Sequence, residues 1–178
     1  MKKYSLITIL ITVTLTTSFS AHAYNSDRNA NFFLTLGRTF IEAEGEKEDA
    51  SALKIGGGYR FFDYAGFEAY YIYYGKITER VDVGISNTFK ANAFVFNGIA
   101  FLPVTPQFDL YAKVGISKWD AELKFLNIVL EADGSDPIYT LGFGYNIDYD
   151  STIRLEYEHA DYDEIKFSVI SFGFQHNF

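Results

Sequence analysis

Lys166-Phe167-Ser168-Val169-Ile170-Ser171-Phe172-Gly173-Phe174-Gln175-His176-Asn177-Phe178 closes the chain, and it alternates to the last residue. Side chains on a strand project to opposite faces with period two. One face carries Lys166, Ser168, Ile170, Phe172, Phe174, His176 and Phe178; the other carries Phe167, Val169, Ser171, Gly173, Gln175 and Asn177. The first is aliphatic and aromatic to the carboxyl terminus, while the second becomes small and polar. Chain ends ordinarily fray, yet this one carries Phe172, Phe174 and Phe178 on one side of its final strand. A lipid-facing strand of a transmembrane β-barrel has this pattern.

The other end of the sequence agrees. Lys2 and Lys3 precede an apolar, threonine-rich stretch, Leu6 to Phe19, and Ala21-His22-Ala23 follows with small residues at a cleavage position. That is a secretory leader, because a membrane helix needs ~20 apolar residues. The expected organisation is a removed signal peptide over 1–23 and one barrel domain over 24–178.

There is no cysteine, so disulfides and thiolate metal sites are both excluded, and neither cofactor nor metal is expected. The net charge of −8 argues against nucleic acid, whose binding surfaces are basic. The chain has 18 Phe and 14 Tyr, yet its mean hydropathy is near neutral. A barrel wall combines these properties because lipid-facing and lumen-facing residues interleave.

Four hairpins are legible. Strands are predicted over Asn31–Ala43, Ser51–Phe62, Phe67–Ile77, Thr88–Leu102, Phe108–Leu123, Ile138–Asp148, Thr152–Ala160 and Ile165–Phe178. Short turns fall at Asp63–Gly66, Pro103–Pro106 and Tyr149–Ser151, where two prolines cannot join a ladder. Longer connections fall at the opposite end, over Glu42–Ala50, Thr78–Asn87, Lys124–Pro137 and the briefer Asp161–Glu164. The expected fold is therefore all-β: an eight-stranded, antiparallel, up-and-down transmembrane barrel with short inner turns and longer outer loops.

Faces are clearest in four strands. Leu53, Ile55, Tyr59 and Phe61 alternate with Lys54, Gly56, Gly58 and Arg60. Leu110, Ala112, Val114 and Ile116 alternate with Lys113, Gly115 and Ser117. Tyr139, Leu141, Phe143 and Tyr145 alternate with Thr140, Gly142 and Gly144, and Ile153, Leu155, Tyr157 and His159 with Arg154, Glu156 and Glu158. A lipid-facing Arg or Lys costs ~2–4 kcal/mol near the midplane, so the charged face points inward. Lys54, Arg60, Glu68, Lys113, Arg154, Glu156 and Glu158 form the expected lumen network. The fourth strand is ambiguous: Phe94 and Phe96 oppose Val95 and Ile99, with Asn97 between, and a bulge would resolve it.

Gly56-Gly57-Gly58-Tyr59-Arg60-Phe61 before a short turn resembles the second strand of the OmpA/OmpX-type small barrels. Tyr145–Asp148 and Ile153-Arg154-Leu155-Glu156-Tyr157 resemble the sixth and seventh strands. The terminal residues are similar to the sorting signal of such proteins: Ser171, then Gly173, then His176 and Phe178, with His176 standing where Phe or Tyr is usual. The resemblance implies a stand-alone barrel in the cell outer membrane. Its implied partners are the barrel-assembly machinery, outer-membrane lipid and lipopolysaccharide, and it would be a monomer. It also implies a structural or surface-interaction role in envelope integrity, adhesion or resistance to host factors.

An eight-stranded barrel is just wide enough for side chains to fill. Its interior ions must therefore pair, as a plug or as an ion path gated by exchange of partners. A lipid-A-modifying enzyme is the alternative, but it needs a hydroxyl beside an imidazole. Beyond the leader only His159 and His176 are available, and Asp161 stands where a His-x-Ser motif would place the serine. No catalytic residue is expected, and the chain is read as a non-enzyme. A soluble ligand-binding barrel of lipocalin type would place apolar residues inside, which the charged face opposes.

The loop candidates are the acidic Glu44, Glu46, Glu48 and Asp49, the apolar Phe125 and Ile128, and Asp161 and Asp163. They read as solvated tips, as divalent-cation bridges to lipopolysaccharide phosphates, or as an edge that takes a host-surface strand.

Overall fold

The computed structural model describes residues 29–43, 46–82, 85–125, 128–162 and 165–178, with only the backbone of 43, 46–47, 78–82, 85–87 and 125. The expected leader over 1–23 lies outside the described residues.

Eight strands follow in chain order: β1 (Ala30–Ala43), β2 (Glu46–Phe62), β3 (Ala65–Asp82), β4 (Ile85–Pro103), β5 (Phe108–Phe125), β6 (Ile128–Asn146), β7 (Ser151–Tyr162) and β8 (Ile165–Asn177). Each pairs antiparallel with its chain neighbours, and β8 returns to β1 to close the barrel. The seam runs from Glu42↔Lys166 to Asn31↔Asn177, and the Phe178 amide donates to the Ala30 carbonyl at 2.8 Å. The terminal residue is thus tied down although β8 ends one residue before it.

Period two sorts the residues. Phe172, Leu141, Ile116 and Phe94 all lie outside and more than half exposed, a display that water would penalise and lipid accepts. Three expected loops are mostly strand. Pairing continues to Ala43↔Glu46 in the first hairpin, to Asp82↔Ile85 in the second and to Phe125↔Ile128 in the third. Gly134 and Pro137, which read as loop residues, lie within β6. Gly134 is there for clearance, since a Cβ would strike the Trp119 ring at 2.7 Å. Pro137 pairs with Ile116 of β5, and the β6–β7 ladder starts only at Ile138↔Ala160. The proline's missing donor therefore falls where β6 has no second neighbour.

Strand β4 needs no bulge. Its ladder with β5 is regular from Asn87↔Phe125 to Pro103↔Asp109, with Phe94 and Phe96 outside and Val95, Asn97 and Ile99 buried. The ambiguity arose because this strand's inner face is apolar. The break lies instead in β3, between Tyr73 and Lys76, where Gly75 adopts φ +101°, a conformation that glycine takes without steric cost.

The β2–β3 ladder reaches upward only to Leu53↔Tyr73 and β6–β7 only to Ile138↔Ala160, whereas β3–β4, β4–β5 and β5–β6 stay paired almost to their tips. On the β7 side, β6 continues from Ile138 to Ile128 while β7 ends at Tyr162, so β6 has an unpaired edge above the closed barrel; on the other side β2 runs on to Glu46 in its ladder with β1, with Ala50 and Ser51 lying against Gly75 of β3.

Candidate functional site

The inward positions of β2, β3, β5 and β7 meet at mid-height. Lys54 Nζ lies 2.9 Å from both Glu156 Oε2 and Glu158 Oε2. Lys113 Nζ contacts Glu68 at 2.5 Å and Glu156 at 2.7 Å. Arg154 Nη2 contacts Glu68 at 2.8 Å and Glu156 at 2.5 Å. All six are buried. Three cations face three carboxylates, so the layer carries no net charge, and each carboxylate touches at least one cation. Neutrality is the condition for removing such groups from water, because an uncompensated buried ion costs several kcal/mol.

Tyrosines and amides extend the layer. Tyr111 Oη donates to Glu156 Oε1 at 2.8 Å, Tyr70 Oη donates to Glu158, and Arg154 Nη1 donates to Gln175 Oε1 at 3.1 Å. The Arg154 guanidinium lies 4.2 Å from the centre of the Phe33 ring, an attractive placement for a cation. Arg60, expected in the same network, forms a separate pair nearer the short turns, with Asp109 at 3.3 Å and the Phe101 ring at 4.1 Å. Asp109, Tyr111 and Tyr70 were not singled out from the sequence. Extending the inner-face alternation from Lys113 back two and four residues, and from Glu68 forward two, finds them.

Above the ions the interior changes character. Tyr162 stacks on Trp119 at 5.2 Å, Phe167 packs on Tyr74 at 4.9 Å, and Ile72, Ala93 and Val95 fill between. The Tyr162 hydroxyl is 2.6 Å from both Tyr74 Oη and Ser117 Oγ, and Trp119 Nε1 donates to Asp136 at 2.6 Å. The charged residues thus occupy the middle of the lumen, and the outer half is an aromatic core.

The terminal-signal residues divide by face. Ser171 is buried, Gly173 faces β1 at the seam, and His176 and Phe178 lie outside with their rings edge to face at 4.7 Å. Among the loop candidates, Glu48, Asp49, Ile128 and Asp161 are exposed on strands, and Asp49 pairs with Arg38. Only the backbone of Glu46 and Phe125 is described, and Glu44 and Asp163 lie outside the described residues. Among the described residues no three carboxylate or imidazole groups converge as metal ligands.

A closed antiparallel wall, apolar outside and ion-paired within, is the construction of an integral barrel of the outer membrane. A family model described as the OmpA-like transmembrane domain matches residues 21–162, and the chain belongs to that family. It is 30% identical over 108 residues to outer membrane protein A of Shigella flexneri, covering 57% of this chain and 30% of that protein. Outer membrane protein A of Escherichia coli O157:H7 is 29% identical over 103 residues, with 57% and 30% covered. The chain thus spans about a third of the length of these relatives.

Among solved structures, Ail of Yersinia pestis in complex with the heparin analogue sucrose octasulfate superposes with a TM-score of 0.68 at 15% identity, over 85% of this chain and 99% of that one. Neisserial surface protein A gives 0.68 at 12% identity over 84% and 97%. The N-terminal barrel of Pseudomonas aeruginosa OprF gives 0.62 at 13% over 85% and 98%. These likenesses establish the fold; the family match and the outer membrane protein A relatives place the chain in the outer membrane.

Proposed function

We propose that the protein is a closed wall element of the outer membrane that presents the β3–β6 sheet to partners outside the cell. The observation that carries this reading is the outer end of β6, which runs from Ile138 to Ile128 beyond its ladder with β7 and leaves that strand edge unpaired. An open edge is a template for strand addition. Ile128, Val129 and Leu130 on β6 are each more than half exposed beside it. The neighbouring hairpin carries Glu42, Glu48 and Asp49, which disfavours a polyanion such as the one bound to Ail. A host or neighbouring-cell protein is the partner that fits. Deleting 125–130 is expected to reduce adhesion of expressing cells to host surfaces at least several-fold. Unchanged adhesion with intact surface display would refute the reading.

The lumen is proposed to be a plug. A gated ion path would have to exchange partners among six buried charges and then displace the Trp119–Tyr162 layer above them. Planar-bilayer recordings are expected to be silent, and unchanged in Arg154→Ala. Discrete openings that disappear in that variant would favour the ion path instead. The interior is also assigned no catalytic part, because both described histidines lie on the outer wall.

In this reading Ser171, Gly173, His176 and Phe178 form the signal taken up by the assembly machinery. Outer-leaflet lipopolysaccharide surrounds a monomer whose wall closes without a second chain.

A further inference from the structure

A second cluster lies on the outer wall, where β7 and β8 leave the apolar band. Below it the outward-facing residues are Ile153, Leu155 and Tyr157 on β7 and Ile170, Phe172 and Phe174 on β8; above them come His159, Asp161 and Ser168. His159 faces Ser168 directly across the ladder. Ser168 Oγ is 3.0 Å from His159 Nδ1, and His159 Nε2 is 3.5 Å from Asp161 Oδ1. The Tyr157 hydroxyl donates to Ser168 Oγ at 3.3 Å. A His-x-Ser spacing would put the hydroxyl two residues after His159, where Asp161 stands. The next strand supplies it instead.

Two clefts meet at His159. One, of about 590 Å³, is an almost wholly apolar groove in the lipid-facing wall, opened by Gly98, Ala100 and Ala112 and bordered by Val114, Leu141 and Tyr157. The other, of about 350 Å³, is more polar and carries mixed charge, lined by Phe40, Glu42, Glu48, Asp49, Lys166 and Ser168. An apolar groove in the membrane ending at a hydroxyl–imidazole–carboxylate row, with a cleft of three carboxylates and one lysine beyond, matches one ligand chemistry: an acyl chain joined through an ester to a polar head group that carries a cationic amine, not a dense polyanion.

We propose that Ser168, His159 and Asp161 hydrolyse the ester-linked acyl chain of an outer-leaflet lipid. The chain lies in the groove and the head group on the Lys166 side. Ser168 Oγ attacks the acyl carbonyl while His159 Nδ1 takes its proton. The ester C–O bond breaks, and the lipid alkoxide leaves with that proton, returned by His159. Water then attacks the acyl-serine and gives a proton to Nδ1. The acyl–Oγ bond breaks, the fatty acid departs, and Ser168 recovers its hydrogen. Asp161 is a positioning residue: its carboxylate, 3.5 Å from Nε2, favours the tautomer with the hydrogen on Nε2 and steadies the imidazolium that forms when Nδ1 takes the proton.

The test uses full-length protein, purified in detergent from outer membranes of cells lacking their own outer-membrane lipases. It is given lipopolysaccharide and, separately, phosphatidylethanolamine vesicles. Released fatty acid and fluorophosphonate labelling are measured, with heat-modifiable migration certifying the fold. Fatty acid from either lipid, with labelling at Ser168, supports the site, and the responsive arm identifies the lipid. Ser168→Ala and His159→Ala are each expected to reduce release by about 10²–10⁴-fold. Asp161→Asn should lower kcat with little change in KM, and Asp161→Glu should restore it. Folded wild-type protein that neither releases acyl chains nor labels, or Ser168→Ala that does both, overturns the proposal.

Discussion

Glu156→Gln is expected to lower the unfolding free energy of the barrel by about 3–5 kcal/mol, the penalty for breaking a buried ion pair from one side. Glu156 is the carboxylate that all three cations of the mid-height layer share: Lys54 at 2.9 Å, Lys113 at 2.7 Å and Arg154 at 2.5 Å. Glutamine keeps the shape and removes the charge, leaving the layer with a surplus positive charge that solvent cannot reach. Adding Lys113→Met should recover part of the loss, because the double variant is neutral again. Urea unfolding in phospholipid vesicles, followed by tryptophan fluorescence from Trp119, measures both. Equal or greater destabilisation in the double variant would show that individual contacts, and not charge balance, hold the layer.

Gly173→Val is expected to prevent closure outright. Gly173 faces Thr35 across the β1–β8 seam, and a Cβ there would overlap the Leu34 carbonyl oxygen and the Thr35 backbone. Overpacking a core costs typically ~1–3 kcal/mol, and this obstacle should exceed that range because a ladder, unlike a rotamer, has little room to move. The heat-modifiable band should be lost both in cells and in refolding into detergent. If refolding succeeds while assembly in cells fails, Gly173 matters through recognition by the assembly machinery and not through packing.

Much of this architecture was legible because a membrane wall enforces alternation. Lys54, Glu68, Lys113, Arg154, Glu156 and Glu158 could be placed inside from the lipid penalty alone, and the structure brings all six together. Where that penalty stops acting, the signal stops too. Above the membrane both faces of β5 and β6 meet water or aromatic packing, so Glu122, Leu123, Lys124 and their partners show no contrast of faces. Gly134 and Pro137 then read as breakers, although one makes room for Trp119 and the other ends a ladder. Strand β4 failed for a related reason: Val95 belongs to the apolar and aromatic interior above the ions, and Ile99 is a buried apolar residue in register with Lys113, and a rule that places charge inside anticipates neither. The Ser168–His159 pair was illegible in principle, since cross-strand register and not spacing along one strand creates it.

The ionic layer also bears on the order in which the barrel can form. Lys54 and Glu156 stand 102 residues apart in sequence, and no hairpin contains a complete set of partners: Lys54 is on β2, Glu68 on β3, Lys113 on β5 and the rest on β7. An isolated hairpin therefore enters the bilayer with bare charges and has every reason to keep them wet. Apart from the Arg154–Glu156 contact within β7, the ions exchange water for counter-ions only when strands from both halves of the barrel come together as it closes. The layer thus makes partly inserted states costly to dwell in, so a half-built barrel is drawn to completion or returned to the periplasm.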